Sequence, residues 1–216
     1  MEQEHFYIQI CGNDKKLKII DALKQELLKA FETKEMIRDD LFLFPTVNFA
    51  MSLIDDIENC YFGNRFIPCA ILTRSLLDAT MSLIYFLQVP SSDYDSFFEN
   101  YFKTGELTKS PDKKGKRWRV TGKELCETYK NKVAYDVNEA YKNLSKYVHP
   151  TIRHFYSIYQ DSENGAFGLT IYGSKTEFSE EQYLELHQLI YSCIDVFVLV
   201  LKQRGETFQQ NENTTS

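Results

Sequence analysis

Apolar residues recur three and four positions apart along most of the chain, which is the spacing of a helix with one buried face. The first such segment runs from Asn13 to about Glu32, and Asn13 is a suitable N-cap. Its apolar stripe consists of Leu17, Ile20, Leu23, Leu27 and Phe31. Lysine, aspartate and glutamate occupy the positions between, so this segment predicts an amphipathic helix.

Three further helices and a loop are predicted in the next part of the chain. The second helix begins near Pro45, a residue suited to a first helical turn, and ends near Tyr61. The third, from Phe66 to Gln88, is the most apolar and is expected to be central. A short aromatic helix covers Ser92 to Phe102. The stretch from Lys103 to Val120 has no clear period, which predicts a loop.

Capping-box patterns begin at Thr121 and Ser179, and each predicts the start of a helix. The first opens helical sequence that continues, with a break near Tyr135, to His149, where the following proline ends it. The second opens a long helix that runs to about Gln203.

Between these helices, residues 165–174 alternate in polarity with glycines at both ends, which predicts a short extended arm. The polar residues after Gly205 predict a disordered tail over 206–216. No linker separates two domains. The chain is therefore expected to be all-α: a single bundle of about five to seven helices over 1–205.

Composition and charge say more about the cellular compartment of the protein than about its function. The chain has 216 residues with a formal charge of -6, which argues against a nucleic-acid binder that uses its whole surface but leaves room for a local basic patch. No signal peptide and no apolar stretch long enough for a membrane span is expected. The five cysteines form no C-x-x-C pair and no zinc pattern, so we expect reduced thiols in the cytoplasm, without metal or cofactor.

The one basic cluster lies in the predicted loop and also holds the only tryptophan of the chain. Cations beside an aromatic ring are typical of a site for single-stranded nucleic acid. The candidate nucleic-acid-binding residues are Lys113, Lys114, Lys116, Arg117, Trp118 and Arg119. The structural alternative is a solvated loop that Trp118 anchors to the bundle.

Two polar residues, Arg74 and Asp78, lie four positions apart on the most apolar helix. Residues at this spacing share a helix face, so the two side chains can form an ion pair. One interpretation is a buried pair that fixes helix register; the other is an arginine aimed at an anionic ligand and oriented by Asp78.

Ser145 and His149 have the same spacing on the last turn of the helix that Pro150 ends. A helix C-terminus favours the imidazolium form, so His149 can titrate near neutrality and act as a general acid or base. Lys142 lies two turns earlier, where its charge suits a phosphodiester. The structural alternative is that His149 caps the helix or bonds to a carboxylate such as Asp78.

The segments Arg74-Ser-Leu-Leu-Asp78 and Ser145-Lys-Tyr-Val-His149-Pro150 resemble HEPN-like helical domains, over about Phe42 to Lys202. The resemblance implies a helical bundle, a homodimer, and metal-independent cleavage of RNA in phage-defence or toxin–antitoxin systems. It also implies that His149 is the acid or base, that Lys142 and Arg74 stabilise phosphate charge, and that Asn143 orients the phosphate. The family's arginine is a lysine at position 142 here.

Two functions follow as expectations. The first is a helical protein that binds or cleaves RNA or a nucleotide. The second is a non-catalytic interaction or regulatory module that binds a protein partner. In that module Arg74, Asp78, Ser145 and His149 form a structural polar network.

Overall fold

The computed structural model describes residue 25 and residues 38–62, 65–148, 159–161, 167–169 and 180–215. Six α-helices are present among these residues, which confirms the predicted all-α bundle. The predicted helix from Asn13 to Glu32 lies outside the described residues, except that Gln25 is helical and exposed. His149, Pro150 and the capping residue Ser179 also lie outside them.

The first two described helices form the largest helix–helix contact of the bundle. Helix α1 (Asp40–Phe62) starts earlier than predicted and includes Pro45, which was expected to begin it. Pro45 is exposed, so the hydrogen bond that its missing N–H removes is on the solvent side. The buried face of α1 includes Val47, Ala50, Ile54 and Ile57, and Met51 on the same face is partly buried.

Helix α2 (Phe66–Phe86) is the central helix and contacts four other helices of the bundle. A helix with neighbours on most sides needs apolar residues all round, which explains its composition. Among the described residues it is also the one helix long and apolar enough to cross a membrane, by length and composition only. More than half of the apolar window is buried inside the bundle, as in the core helix of a soluble protein.

A 3₁₀ turn (Ser91–Asp93) leads into the predicted aromatic helix, α3 (Tyr94–Thr104). Gly105 follows it with φ +69°, a left-handed conformation that suits glycine and ends the helix. Phe97 is buried, and Phe42 and Phe86 stack with their centroids 4.6 Å apart beside it.

The predicted capping box at Thr121 is confirmed at the start of α4 (Gly122–Val133). The Thr121 amide donates to Glu124 Oε2 at 2.9 Å, and the Glu124 amide donates back to the threonine hydroxyl at 3.3 Å. Ala134 has φ +57° and ends this helix, and α5 (Asn138–Val148) follows. The predicted break near Tyr135 is therefore confirmed.

The last described elements are a two-stranded antiparallel sheet and a long helix. Strand β1 (Tyr159–Asp161) pairs antiparallel with β2 (Phe167–Leu169), which falls within the predicted extended arm. Helix α6 (Glu180–Thr215) continues where a disordered tail was predicted. Gly205 does not end it, since propagation of an existing helix adds one hydrogen bond per residue and Gln and Glu are good helix formers.

The four cysteines among the described residues, Cys60, Cys69, Cys126 and Cys193, are buried free thiols. Burial raises the pKa of both Cys69 and Cys193 to about 12. The thiolate is the reactive form, so these side chains act as small apolar core residues rather than as nucleophiles.

Candidate functional site

Arg74 carries a charge into the centre of the bundle. It lies midway along α2 with only 8% of its surface exposed. A buried charge is costly unless it is paired and hydrogen-bonded, so its surroundings decide what it can do.

Three side chains surround the Arg74 guanidinium. It forms the predicted ion pair with Asp78 one turn later on α2. Arg74 Nε donates a hydrogen bond to Ser145 Oγ at 3.2 Å, and the guanidinium carbon lies 3.6 Å from the centre of the Tyr141 ring. We call these four residues the Arg74 cluster. It joins α2 to α5, so the predicted meeting of Arg74, Asp78 and Ser145 is confirmed.

Tyr141 also belongs to the cluster, although no motif or spacing in the sequence singled it out. It precedes Ser145 by one helical turn, and its carbonyl accepts a hydrogen bond from the serine hydroxyl at 2.6 Å. Burial raises the pKa of its phenol, while Arg74 acts against that shift. Gly122 leaves room for the phenol, because a Cβ at this position would overlap the Tyr141 hydroxyl.

Lys142 and Asn143 lie on α5 but outside the Arg74 cluster. Successive helical residues point about 100° apart, and Lys142 is exposed while its neighbour Tyr141 faces Arg74. Asn143 accepts a hydrogen bond from Lys146 Nζ at 2.9 Å. The described residues therefore do not bring the two predicted phosphate ligands, Arg74 and Lys142, to one point.

The predicted loop before α4 contains two paired arms, which we call the basic hairpin (residues 107–120). Thr108 and Arg119 form an antiparallel bridge. The Lys109 amide donates to the Trp118 carbonyl, and the Val120 amide to the Leu107 carbonyl, both at 2.9 Å. This pairing was not predicted, because the segment has no regular alternation of polar and apolar residues.

The carboxylate of Asp112 organises the tip of the basic hairpin. Its Oδ1 accepts hydrogen bonds from the amides of Lys114 and Lys116, each at 2.9 Å. These backbone hydrogen bonds lower the pKa of Asp112, and the bond from the Lys116 amide has the largest effect. Gly115 has φ +75°, which favours glycine at the turn. The tip is therefore an ordered turn.

Three cations of the basic hairpin are engaged within the protein, and two of them, Lys109 and Arg117, hold it against helices of the bundle. Lys109 pairs with Glu124, and this hydrogen bond is the main reason that the pKa of Glu124 falls to about 2. Arg119 pairs with Glu106 at 3.1 Å. Arg117 donates a hydrogen bond to the Ser96 hydroxyl on α3. Arg117 and Arg119, predicted to bind nucleic acid, are thus engaged within the protein.

The other predicted residues of the basic hairpin face solvent. Lys113, Lys114 and Lys116 are exposed and form no ion pair with any residue that the structure describes. Trp118 is 51% exposed, and the Lys116 ammonium lies 3.9 Å from the centre of its ring. Cations and an aromatic face therefore share one ordered turn.

Within the described ranges, no three His, Cys, Asp or Glu side chains are grouped so that they could hold a metal ion.

No protein-family model matches the chain, and comparison with the curated proteins and with the solved structures gives no match. The resemblance to HEPN-like domains therefore rests on the two sequence motifs alone.

Proposed function

We propose that this chain is a cytoplasmic HEPN-like helical protein that binds single-stranded RNA through the basic hairpin. The observation that carries the proposal is the half-exposed ring of Trp118 beside Lys116, which shares an ordered turn with the exposed Lys113 and Lys114. Lysines attract the phosphate backbone, and an aromatic face stacks on an unpaired base. The homodimer that the sequence resemblance implies is part of the same proposal.

The charge balance supports this location. The chain carries a formal charge of -6, so its net charge repels a phosphate backbone and binding needs a local group of cations. Lys109 and Arg119 are neutralised by glutamates, which leaves the attraction to the three lysines at the tip. Because the tip is ordered before binding, less conformational entropy is lost on binding than with a flexible loop.

The Arg74 cluster has a structural role in this proposal. Its guanidinium is buried and already engaged by an anion, a hydroxyl and a ring, which leaves little of it for a ligand. It holds α5 against α2. The alternative function, an interaction module without RNA binding, uses the same cluster in the same way and differs only in the role of the basic hairpin.

Replacing Lys113, Lys114 and Lys116 with glutamine should weaken binding of a single-stranded RNA and lower its salt dependence. With about 0.7 counterions released per phosphate contact, the slope of log K against log salt should fall by about 2. Trp118→Leu should weaken binding about 5- to 150-fold while the slope stays the same, because stacking carries no charge. Filter binding at several salt concentrations measures both quantities.

A matched control replaces three exposed lysines away from the basic hairpin, Lys130, Lys132 and Lys202, with glutamine. This variant has the same net charge and should keep most of the affinity. Equal loss in the two triple variants, or no binding by the unmodified protein, contradicts RNA binding at the basic hairpin. The interaction-module alternative predicts that the unmodified protein does not bind RNA.

RNA cleavage is a second candidate function, and the placement of α5 favours it. Ser145 is fixed against Arg74, and α5 ends at Val148, so His149 follows directly. In this proposal the neighbouring 2′-hydroxyl attacks the phosphate, the bond to the 5′-oxygen of the next nucleotide breaks, and a 2′,3′-cyclic phosphate forms. His149 either takes the proton from the 2′-hydroxyl as base or gives one to the leaving 5′-oxygen as acid. Lys142 stabilises the phosphorane charge and Asn143 orients the phosphate.

We expect the protein to cleave RNA in the presence of a chelator, and His149→Ala to abolish cleavage while the helical circular dichroism persists. A 2′-deoxy nucleotide at the cleaved position should block the reaction, since the attacking group is then missing. Lys142→Ala should slow it, whereas Lys146→Ala, on the same helix, should not. RNA that stays intact with the unmodified protein rules out cleavage but not binding.

A further inference from the structure

A groove of about 1000 Å³ lies where the C-terminal ends of α2 and α4 meet α6. Its lining is mainly apolar and includes Ile84, Val133, Val196 and Val200. Leu87 and Leu199 also line it and are 41% and 56% exposed. An exposed apolar surface of this kind usually marks a place where another element docks.

The chain before residue 38 reaches the bundle at one end of this groove. Helix α1 starts at Asp40, whose two carboxylate oxygens accept hydrogen bonds from Arg204 at 2.8 and 2.6 Å. Gln203, the preceding residue on α6, lines the groove. The start of α1 is therefore fixed beside the groove at its Gln203 end.

The segment that precedes α1 has the pattern and the length to cover the groove. The predicted helix over Asn13 to Glu32 has one apolar face and is about 30 Å long. The part of α6 along the groove, from His187 to Gln203, rises about 24 Å at 1.5 Å per residue. Residues 33–37 connect this predicted helix to Arg38, and the six Cα–Cα steps from Glu32 to Arg38 span at most about 21 Å, which keeps the end of the helix near this end of the bundle.

We propose that the amphipathic helix over Asn13 to Glu32 docks in this groove and runs parallel to α6. Phe31 then lies towards the Gln203 end and Leu17 towards the His187 end, because the chain enters α1 beside Arg204. The apolar stripe packs on Leu87 and Leu199. Gln25 lies off that stripe and is helical and exposed, as the polar side of such a helix requires.

Hydrogen exchange of the full chain, followed by mass spectrometry, tests this docking. Amides of residues 17–31 should exchange slowly, and Leu199→Asp in the groove or Leu27→Asp in the stripe should accelerate them about tenfold or more. Two controls introduce the same charge elsewhere: Phe102→Asp on α3, where Phe102 is 70% exposed, and Gln25→Asp. Both controls should leave the exchange of 17–31 within about threefold of the original rate.

Amides of 71–84 in the central helix report whether each variant keeps its fold. If exchange of these amides is also accelerated in Leu199→Asp, the milder variant Leu199→Ser is used instead. Docking is overturned if residues 17–31 exchange at the unprotected rate in the unmodified protein, or if Leu199→Asp and Leu199→Ser leave their protection intact. Sedimentation at two concentrations identifies the rival occupant. If Leu199→Asp converts a dimer to a monomer without exposing 17–31, a second copy of the chain fills the groove instead.

Discussion

Asp40→Ala should lower the free energy of unfolding by about 3–5 kcal/mol, the usual effect of removing one partner from a buried ion pair. Asp40 and Arg204 are 1% and 7% exposed, and their two hydrogen bonds form a bidentate pair between α1 and α6. Without the carboxylate, the guanidinium loses both bonds in a site from which water is largely excluded. Urea unfolding followed by far-ultraviolet circular dichroism measures the loss.

The double variant Asp40→Ala with Arg204→Leu should recover part of this loss, since it removes the second charge as well. Asp95→Ala is a matched control, because Asp95 pairs with Arg38 on the surface and both side chains are mostly exposed. Its effect should stay below about 1 kcal/mol. A loss of similar size in Asp40→Ala and Asp95→Ala contradicts the assigned role of burial.

Arg74→Met should lower the free energy of unfolding by about 2–4 kcal/mol, as expected when a buried polar network is broken. The variant keeps an unbranched side chain but loses the bond to Ser145, the pair with Asp78 and the charged stack on Tyr141. Asp78 is 46% exposed at its side chain, so water stabilises its charge after the change and the effect stays below that of Asp40→Ala. Urea unfolding again provides the measurement.

Two further variants separate a structural role of Arg74 from ligand binding. Gly122→Ala displaces the Tyr141 ring while the residue at position 74 is still arginine. It should therefore destabilise the protein, although alanine usually stabilises a helix relative to glycine. Lys142→Met removes an exposed cation from α5 and should change stability by less than about 0.5 kcal/mol. If Arg74→Met unfolds like the unmodified protein yet loses RNA binding, Arg74 contacts the ligand and the structural assignment is wrong.

Features set by neighbouring residues could be predicted from the sequence. The pair of Arg74 and Asp78 follows from helical spacing, and the capping box at Thr121 follows from side chains that bond to the nearest free amides. Ser145 could be placed in the polar cluster because it lies in a short motif. The fold class followed from periodicity repeated over many residues.

Features that depend on distant parts of the chain could not be predicted in the same way. Asp40 and Arg204 are 164 residues apart, and each looks like an ordinary charge near a helix end. The pairing of Thr108 with Arg119 is set by Asp112 and by contacts with α3 and α4, not by alternation within the arms. Tyr141 joins the cluster only because Gly122, on another helix, makes room for it.

Trp118 is the sole tryptophan of the chain, and it lies on the second arm of the basic hairpin, next to the tip, instead of in the core. Intrinsic fluorescence excited at the indole band is therefore insensitive to the bundle interior and reports the environment of one turn. The nearby Lys116 ammonium makes that emission responsive to any anion that draws the lysine away from the ring. Tryptophan fluorescence therefore follows the basic hairpin, whereas far-ultraviolet circular dichroism follows the unfolding of the helices.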